Sequence, residues 1–174
     1  FAMIDMPQLG TMSNGGAQIN VGDMSFFLEQ TLAAGNIVVM PDYMGIAVNG
    51  PTQYKKSYAI GQQEARDNFY AVKALQAPAG QVSGWNGVGG GNETWTGTDF
   101  VAMGHSQGGH AAMWTGVESQ RDWAKKLGLN LKGVVAAAPA TDLVQIVGTQ
   151  WEGYPGWVLG PELIQTYVSI SPQL

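Results

Sequence analysis

Apolar residues along the chain fall into short continuous runs, separated by longer stretches in which they recur at helical spacing. Ile37 to Met40 is continuously apolar, as in a parallel strand buried on both faces, and Pro41 stops it. Phe100 to Met103 is a second such run, and Gly133 to Ala138, "GVVAAA", is a third, closed by Pro139. Phe1 to Met6, interrupted by Asp5, reads as the end of a strand. Between these runs, Asp23 or Ser25 caps a helix over Phe26 to Ala33 that Gly35 ends. Ile60 to Ala77 is the strongest helix: Ala65, Phe69, Val72 and Gln76 share one stripe, while Glu64, Arg66, Asp67 and Lys73 fall elsewhere. A further helix is predicted from Ser106 to about Lys126. Strands alternating with helices predict βαβ units and an α/β fold with a mostly parallel, doubly wound sheet.

The connecting segments are polar and glycine-rich. Pro7 to Gly22 reads as a loop, and Gln81 to Thr98, "QVSGWNGVGGGNETWTGT", as an insertion. After Asp142 the character changes: Thr141 to Leu174 carries prolines and aromatics without a clear period. The expected division is a core over 1–142 and the start of a cap or lid over 143–174.

Composition narrows the possibilities. The 174 residues give room for one domain with a real core. Charged residues are 12% of the chain, about half the usual ~25%, and glycine supplies 25 residues. A surface that is polar but weakly charged is compatible with a secreted protein, extracellular or periplasmic. The net charge is −5, and Lys55-Lys56 and Lys125-Lys126 are the longest basic clusters, which argues against nucleic acid as a partner. The absence of cysteine excludes disulfides, thiolate catalysis and cysteine zinc sites. No apolar run approaches the ~18 residues of a membrane span. The chain opens on Phe1 with residues that already read as strand, so an N-terminal segment is expected to lie outside it.

The candidate chemistry sits in "VAMGHSQGGHAAM", from Val101 to Met113. Gly104-His105-Ser106-Gln107-Gly108 fits Gly-x-Ser-x-Gly, which carries meaning only between a strand and a helix, and both are predicted here. A serine at such a turn takes dihedrals that most residues avoid. Gly104 and Gly108 remove side chains that would collide as the helix passes back over the strand, and Gly109 extends the clearance. The first N–H groups of the helix then point where negative charge would develop. The bland alternative is a serine that caps a helix after a glycine turn. Two nucleotide-binding readings fail: Gly104 to Gly109 does not fit G-x-G-x-x-G, and Gly87 to Gly91 has neither a strand before it nor Lys-Ser/Thr after it.

A serine nucleophile needs a base, and the chain has 2 histidines, His105 and His110. His105 leaves the strand end on the side away from the serine and is expected to pack beside the sheet. His110 lies one helical turn on and is expected to lie against a neighbouring helix or loop. Both read as structural.

Several segments together resemble one family. "LAAGNIVVMPDYMG" looks like a strand ending in Pro-Asp-Tyr-x-Gly, "EARDNFYAVKAL" like the helix after it, "GHSQGGHAA" like the serine turn, and "GVVAAAPATDL" like the strand leading into a cap. "LGTMSNGG" resembles a His-Gly-Thr loop. In this order they resemble the α/β-hydrolase secretory lipases, the group that includes fungal lipase A and its bacterial relatives, over roughly Met6 to Leu143. There are departures: Leu9 stands where the family usually has histidine, the cysteine after that loop is absent, and the insertion over 81–98 is longer than usual.

The resemblance implies a carboxylic-ester hydrolase, a lipase or esterase, acting on a small-molecule or lipid ester. Ser106 would be the nucleophile, and the backbone N–H of Gln107 with one near Thr11 would form the oxyanion hole. No cofactor and no metal are implied; Glu93 and Asp99 lack calcium-ligand spacing. In this fold the triad runs Ser, then Asp or Glu, then His, and no histidine follows His110. The triad acid and histidine are therefore expected outside this chain, which would be an internal piece of a larger enzyme, with the remainder as a second polypeptide or further chain. The chain alone is expected to turn over little or no substrate. Asp142 is weighed as triad acid against a helix cap, and Asp42 as a loop hydrogen-bonder. Trp151 and Trp157 are candidate linings of an acyl site, against ordinary cap packing. Asn92-Glu93-Thr94 fits a glycosylation sequon. Two rival readings stay open: a peptidase or acyltransferase on the same scaffold, and an inactive hydrolase-like binding protein.

Overall fold

The short apolar runs pair into one parallel sheet in the computed structural model of the chain, which describes residues 2–5, 25–41, 43–44, 57–78, 81, 94–151 and 153–171. Strand β1 (Ala2–Asp5), helix α1 (Ser25–Ala33), β2 (Val38–Val39), α2 (Gly61–Ala74), β3 (Asp99–His105), α3 (Gln107–Glu118), α4 (Asp122–Lys125), β4 (Asn130–Ala137), α5 (Leu143–Gln150) and α6 (Tyr154–Ile170) follow in order. The sheet has 4 strands in the order β2-β1-β3-β4. All pairs are parallel: Ala2 faces Val38 and Val101, and Met103 faces Val135. Parallel neighbours need crossover connections, which α1, α2 and α3 supply.

The core lies between β3 and the α2–α3 pair. Along β3 the alternating residues Phe100, Ala102 and Gly104 are buried. Phe69 of α2 meets the Phe100 ring and the Trp123 ring edge-on, each at 5.3 Å. Gly61 opens α2 because the Trp114 indole of α3 occupies the space where a Cβ would go. Asn68 Nδ2 donates to Thr115 Oγ1 at 2.9 Å across the same helix interface.

Several elements differ in extent from the pattern of the sequence. Helix α2 starts at Gly61 and stops at Ala74, short of Ala77, where Leu75 O takes the Trp95 N–H and Gly97 O takes the Gln76 amide. Its buried face includes Glu64, which helical spacing had set apart from the apolar stripe. The helix expected to run from Ser106 to Lys126 is two helices. Arg121 is extended at ψ 148°, and the break turns Trp123 back to donate to Glu118 Oε2 at 2.9 Å and to pack on Phe69. Strand β2 is shorter than predicted and half-buried rather than fully buried. The segment without a period forms α5 and α6: Pro155 sits in the first turn of α6, where no N–H is needed, and Pro161 lies inside it. The loops over 7–22 and most of the insertion over 81–98 lie outside the described residues. Among the described residues, no helix is long and apolar enough to cross a membrane.

Phe69 is 1% exposed and is touched by aromatic rings from two other elements. Phe69→Ala is expected to cost about 3–5 kcal/mol of unfolding free energy, measured by chemical denaturation. A loss below about 1 kcal/mol would show that the core lies elsewhere.

Candidate active site

Strand β3 ends at His105 and α3 starts at Gln107, so Ser106 alone makes the turn. It does so at φ 55°, ψ −117°, a conformation that costs a non-glycine residue about 1–3 kcal/mol. The reason is local. A Cβ on Gly104 would run into the backbone of Gly108, and a Cβ on Gly109 would come within 3.0 Å of Ala137 O and of Pro139. Helix α3 thus returns over the ends of β3 and β4 at backbone distance. The Ser106 N–H donates to Ala137 O at 2.9 Å, and Ser106 O accepts from the His110 N–H at 3.0 Å and the Ala140 N–H at 3.3 Å. Ser106 stands at the N-cap position of α3, yet its side chain makes no capping hydrogen bond. The helix-capping role, the bland alternative, is not the one it plays here.

Ser106 opens onto a cavity of about 180 Å³. One wall is Tyr58 and Ala59, and another is Ala138 to Ala140 after β4. The roof comes from the cap helices: Leu143, Ile146, Val147 and Trp151 on the α5 side, and Gly160 and Leu163 from α6. Trp151 lies over Gly160, where an added Cβ would come within 2.7 Å of the indole. The described non-glycine residues with positive φ are Ala59, Ser106 and Ala138, and all of them line this cavity. Backbone strain gathered at one pocket is a mark of a functional site.

Behind Ser106 lies a buried polar network. Glu64 is 0% exposed. Its Oε1 accepts from the Ala59 N–H at 2.9 Å and from Gln107 Nε2 at 2.7 Å, and its Oε2 takes His110 Nδ1 at 2.7 Å. The Trp114 indole N–H donates to His110 Nε2 at 2.9 Å. An indole N–H can only donate, so Nε2 is the acceptor and Nδ1 carries the proton, which it donates to Glu64. Both ring nitrogens of His110 are therefore occupied away from Ser106. His105 belongs to the other side of β3 and is exposed, where packing beside the sheet was expected.

The structure thus brings Ser106, Gln107 and Trp151 around one cavity. As the first residue of α3, Gln107 has a backbone N–H with no acceptor inside the helix. Asp142 is the N-cap of α5 and accepts from the Gln145 N–H at 2.8 Å. Thr11, Asp42, Glu93 and Asn92 lie outside the described residues, as does the Trp157 side chain. Sequence reasoning missed Glu64, Tyr58, Ala59 and, beside Trp151, the roof residues Leu143, Ile146, Val147 and Leu163. The available signal for Glu64 was its position one turn after Gly61 and one turn before Asn68, on the face of small residues that packs on α3.

A family model described as Secretory lipase matches residues 15–174. No curated protein and no solved structure matches the chain.

Tyr58, in the cavity wall, has its phenol pushed up from the ordinary 10.0 to about 12, first by burial and then by the negative charges of Glu64 and Glu162. The fold therefore holds Tyr58 neutral at a pH where the unfolded chain ionises it. This favours the unfolded chain only above the unfolded value. Stability is expected to hold up to about pH 10 and to fall as the pH rises from 10 towards 12. Tyr58→Phe should remove part of that fall in denaturation curves measured across this range. An identical alkaline loss in the variant would contradict the assignment.

Proposed function

The chain belongs to the secretory lipase family, and we propose that Ser106 is the nucleophile of its ester-hydrolysing site. Family membership makes the protein a lipase- or esterase-type hydrolase of the α/β-hydrolase fold, with a lipid ester as the class of substrate and secretion as its destination. The observation that carries the residue assignment is the turn itself: a serine at φ 55° between strand and helix, with no capping bond, facing an apolar cavity.

In this reading the Ser106 hydroxyl loses its proton to a base as its oxygen attacks the acyl carbonyl carbon. The carbonyl oxygen becomes an oxyanion beside the start of α3, where the Gln107 N–H donates to it, with a second donor near Thr11. Each donor of this kind is worth about 10²–10³ in rate. The alcohol leaves with the proton from the base, and water then releases the acyl group from Ser106 by the same steps in reverse. The base is a histidine from outside these 174 residues, because the two it contains are committed elsewhere: His110 to Glu64 and Trp114, His105 to the opposite side of the strand. The triad acid is read as lying outside as well, in the order Ser, acid, His that the resemblance implies, with Asp142 used in capping α5. The chain without that remainder is inactive. The core extends over 1–142, and 143–174 is the start of the cap, whose α5 and α6 supply the roof over the serine with Trp151 as part of the acyl lining.

Ser106→Ala in the full-length enzyme is expected to lower hydrolysis of p-nitrophenyl esters by about 10⁴–10⁶-fold while leaving the melting curve near that of the parent. Retention of more than a tenth of the activity would remove Ser106 from the nucleophile role.

A further inference from the structure

Resting on the reading of Ser106 as nucleophile, we propose that Glu64 is a positioning residue for the reaction. Its buried carboxylate fixes the oxyanion donor and the 58–59 part of the cavity lining in one register. Glu64 lies in the first turn of α2 and does not line the cavity. It reaches both sides of it all the same. Through Oε1 it holds the side chain of Gln107, the residue that follows the serine and carries the backbone donor at the start of α3. Through the same oxygen it holds the N–H of Ala59, which keeps a positive φ of 55° and lines the same cavity as Ser106. Through Oε2 it holds His110, one turn further along α3.

Only a carboxylate satisfies all three partners. The Ala59 N–H can present only a donor to Oε1, and the Gln107 amide turns its NH₂ group to the same oxygen. The Trp114 indole forces His110 to donate from Nδ1, so the group facing Oε2 is a donor too. Three donors converge on a side chain with acceptors alone. A glutamine of the same shape has one NH₂ group, and in either orientation that group meets a donor. A buried donor facing a donor is relieved only by movement, here of α3 against the 58–59 wall. A displacement of 1 Å at a reacting centre costs about 10²-fold in rate.

The expected result of Glu64→Gln in the full-length enzyme is a fall in kcat for a p-nitrophenyl ester of about 10- to 100-fold, with KM changed less than about threefold. The His110 tautomer provides a rescue. In a Trp114→Phe background no indole N–H faces His110, so the ring can carry its proton on Nε2 and accept from the new amide at Nδ1. Nε2 then faces the surface groove that His110 and Trp114 share. In that background the fall caused by Glu64→Gln should shrink to less than about threefold, a non-additivity of the kind seen for groups in one network. A Glu64→Gln variant with parental kcat overturns the proposal, even if its melting temperature drops, and so does an equal fall in both backgrounds. If Glu64→Gln does not fold, Gln107→Met cuts only the link from Glu64 to the residue that carries the oxyanion donor and leaves the His110 link in place: a fall in kcat at steady KM supports the proposal, and parental kcat overturns it. Failure of the Ser106 reading would show separately, as activity surviving in Ser106→Ala.

Discussion

The backbone of Gly108 occupies the space that a Cβ on Gly104 would need, and the geometry of the site depends on that close return of α3 over β3. Two chain segments can approach at backbone distance only where side chains are missing on the facing positions. The single residue between them must then reverse direction within one step, which forces Ser106 to φ 55°. Gly109 lets the same helix pass the end of β4, where the Ser106 N–H is tied to Ala137 O. The serine is displayed because the turn leaves its side chain no role in capping the helix that it begins.

Such a turn is held, not relaxed. Each strained residue costs about 1–3 kcal/mol, and Ala59 and Ala138 share the strain with Ser106 around the same cavity. What offsets it lies behind the cavity. Glu64 is fully buried and its two oxygens accept from three donors, the Ala59 N–H, the Gln107 amide and His110. Removing one partner from such a group leaves a buried polar atom unpaired, so the network resists the motion that would relax the strain. The Phe69–Phe100–Trp123 cluster holds α2 and α4 on β3 and gives the network a rigid frame.

The serine turn was legible in the sequence because backbone proximity writes itself as glycine at fixed spacing, with a strand before and a helix after. The parallel sheet was legible for a similar reason, since its central strands are short apolar runs such as Phe100 to Met103. Glu64 was not. A carboxylate on a helix reads as solvent-facing, and the partners that make its burial affordable come from positions 59, 107 and 110, two of them distant in sequence. The break between α3 and α4 follows from Trp123 reaching Phe69, which no local pattern records. Helices α5 and α6 were hidden because their apolar residues are not confined to one stripe: Val144 is 86% exposed while Leu143 and Ile146 roof the cavity. A periodic pattern emerges only when one face is buried and the other is polar.

Treatment of the active full-length enzyme with a fluorophosphonate, followed by peptide mass spectrometry, locates the group that attacks the ester. One stoichiometric adduct is expected, on Ser106 in the peptide between Lys73 and Arg121, with activity lost in parallel. An inactivating adduct on any other serine would contradict it.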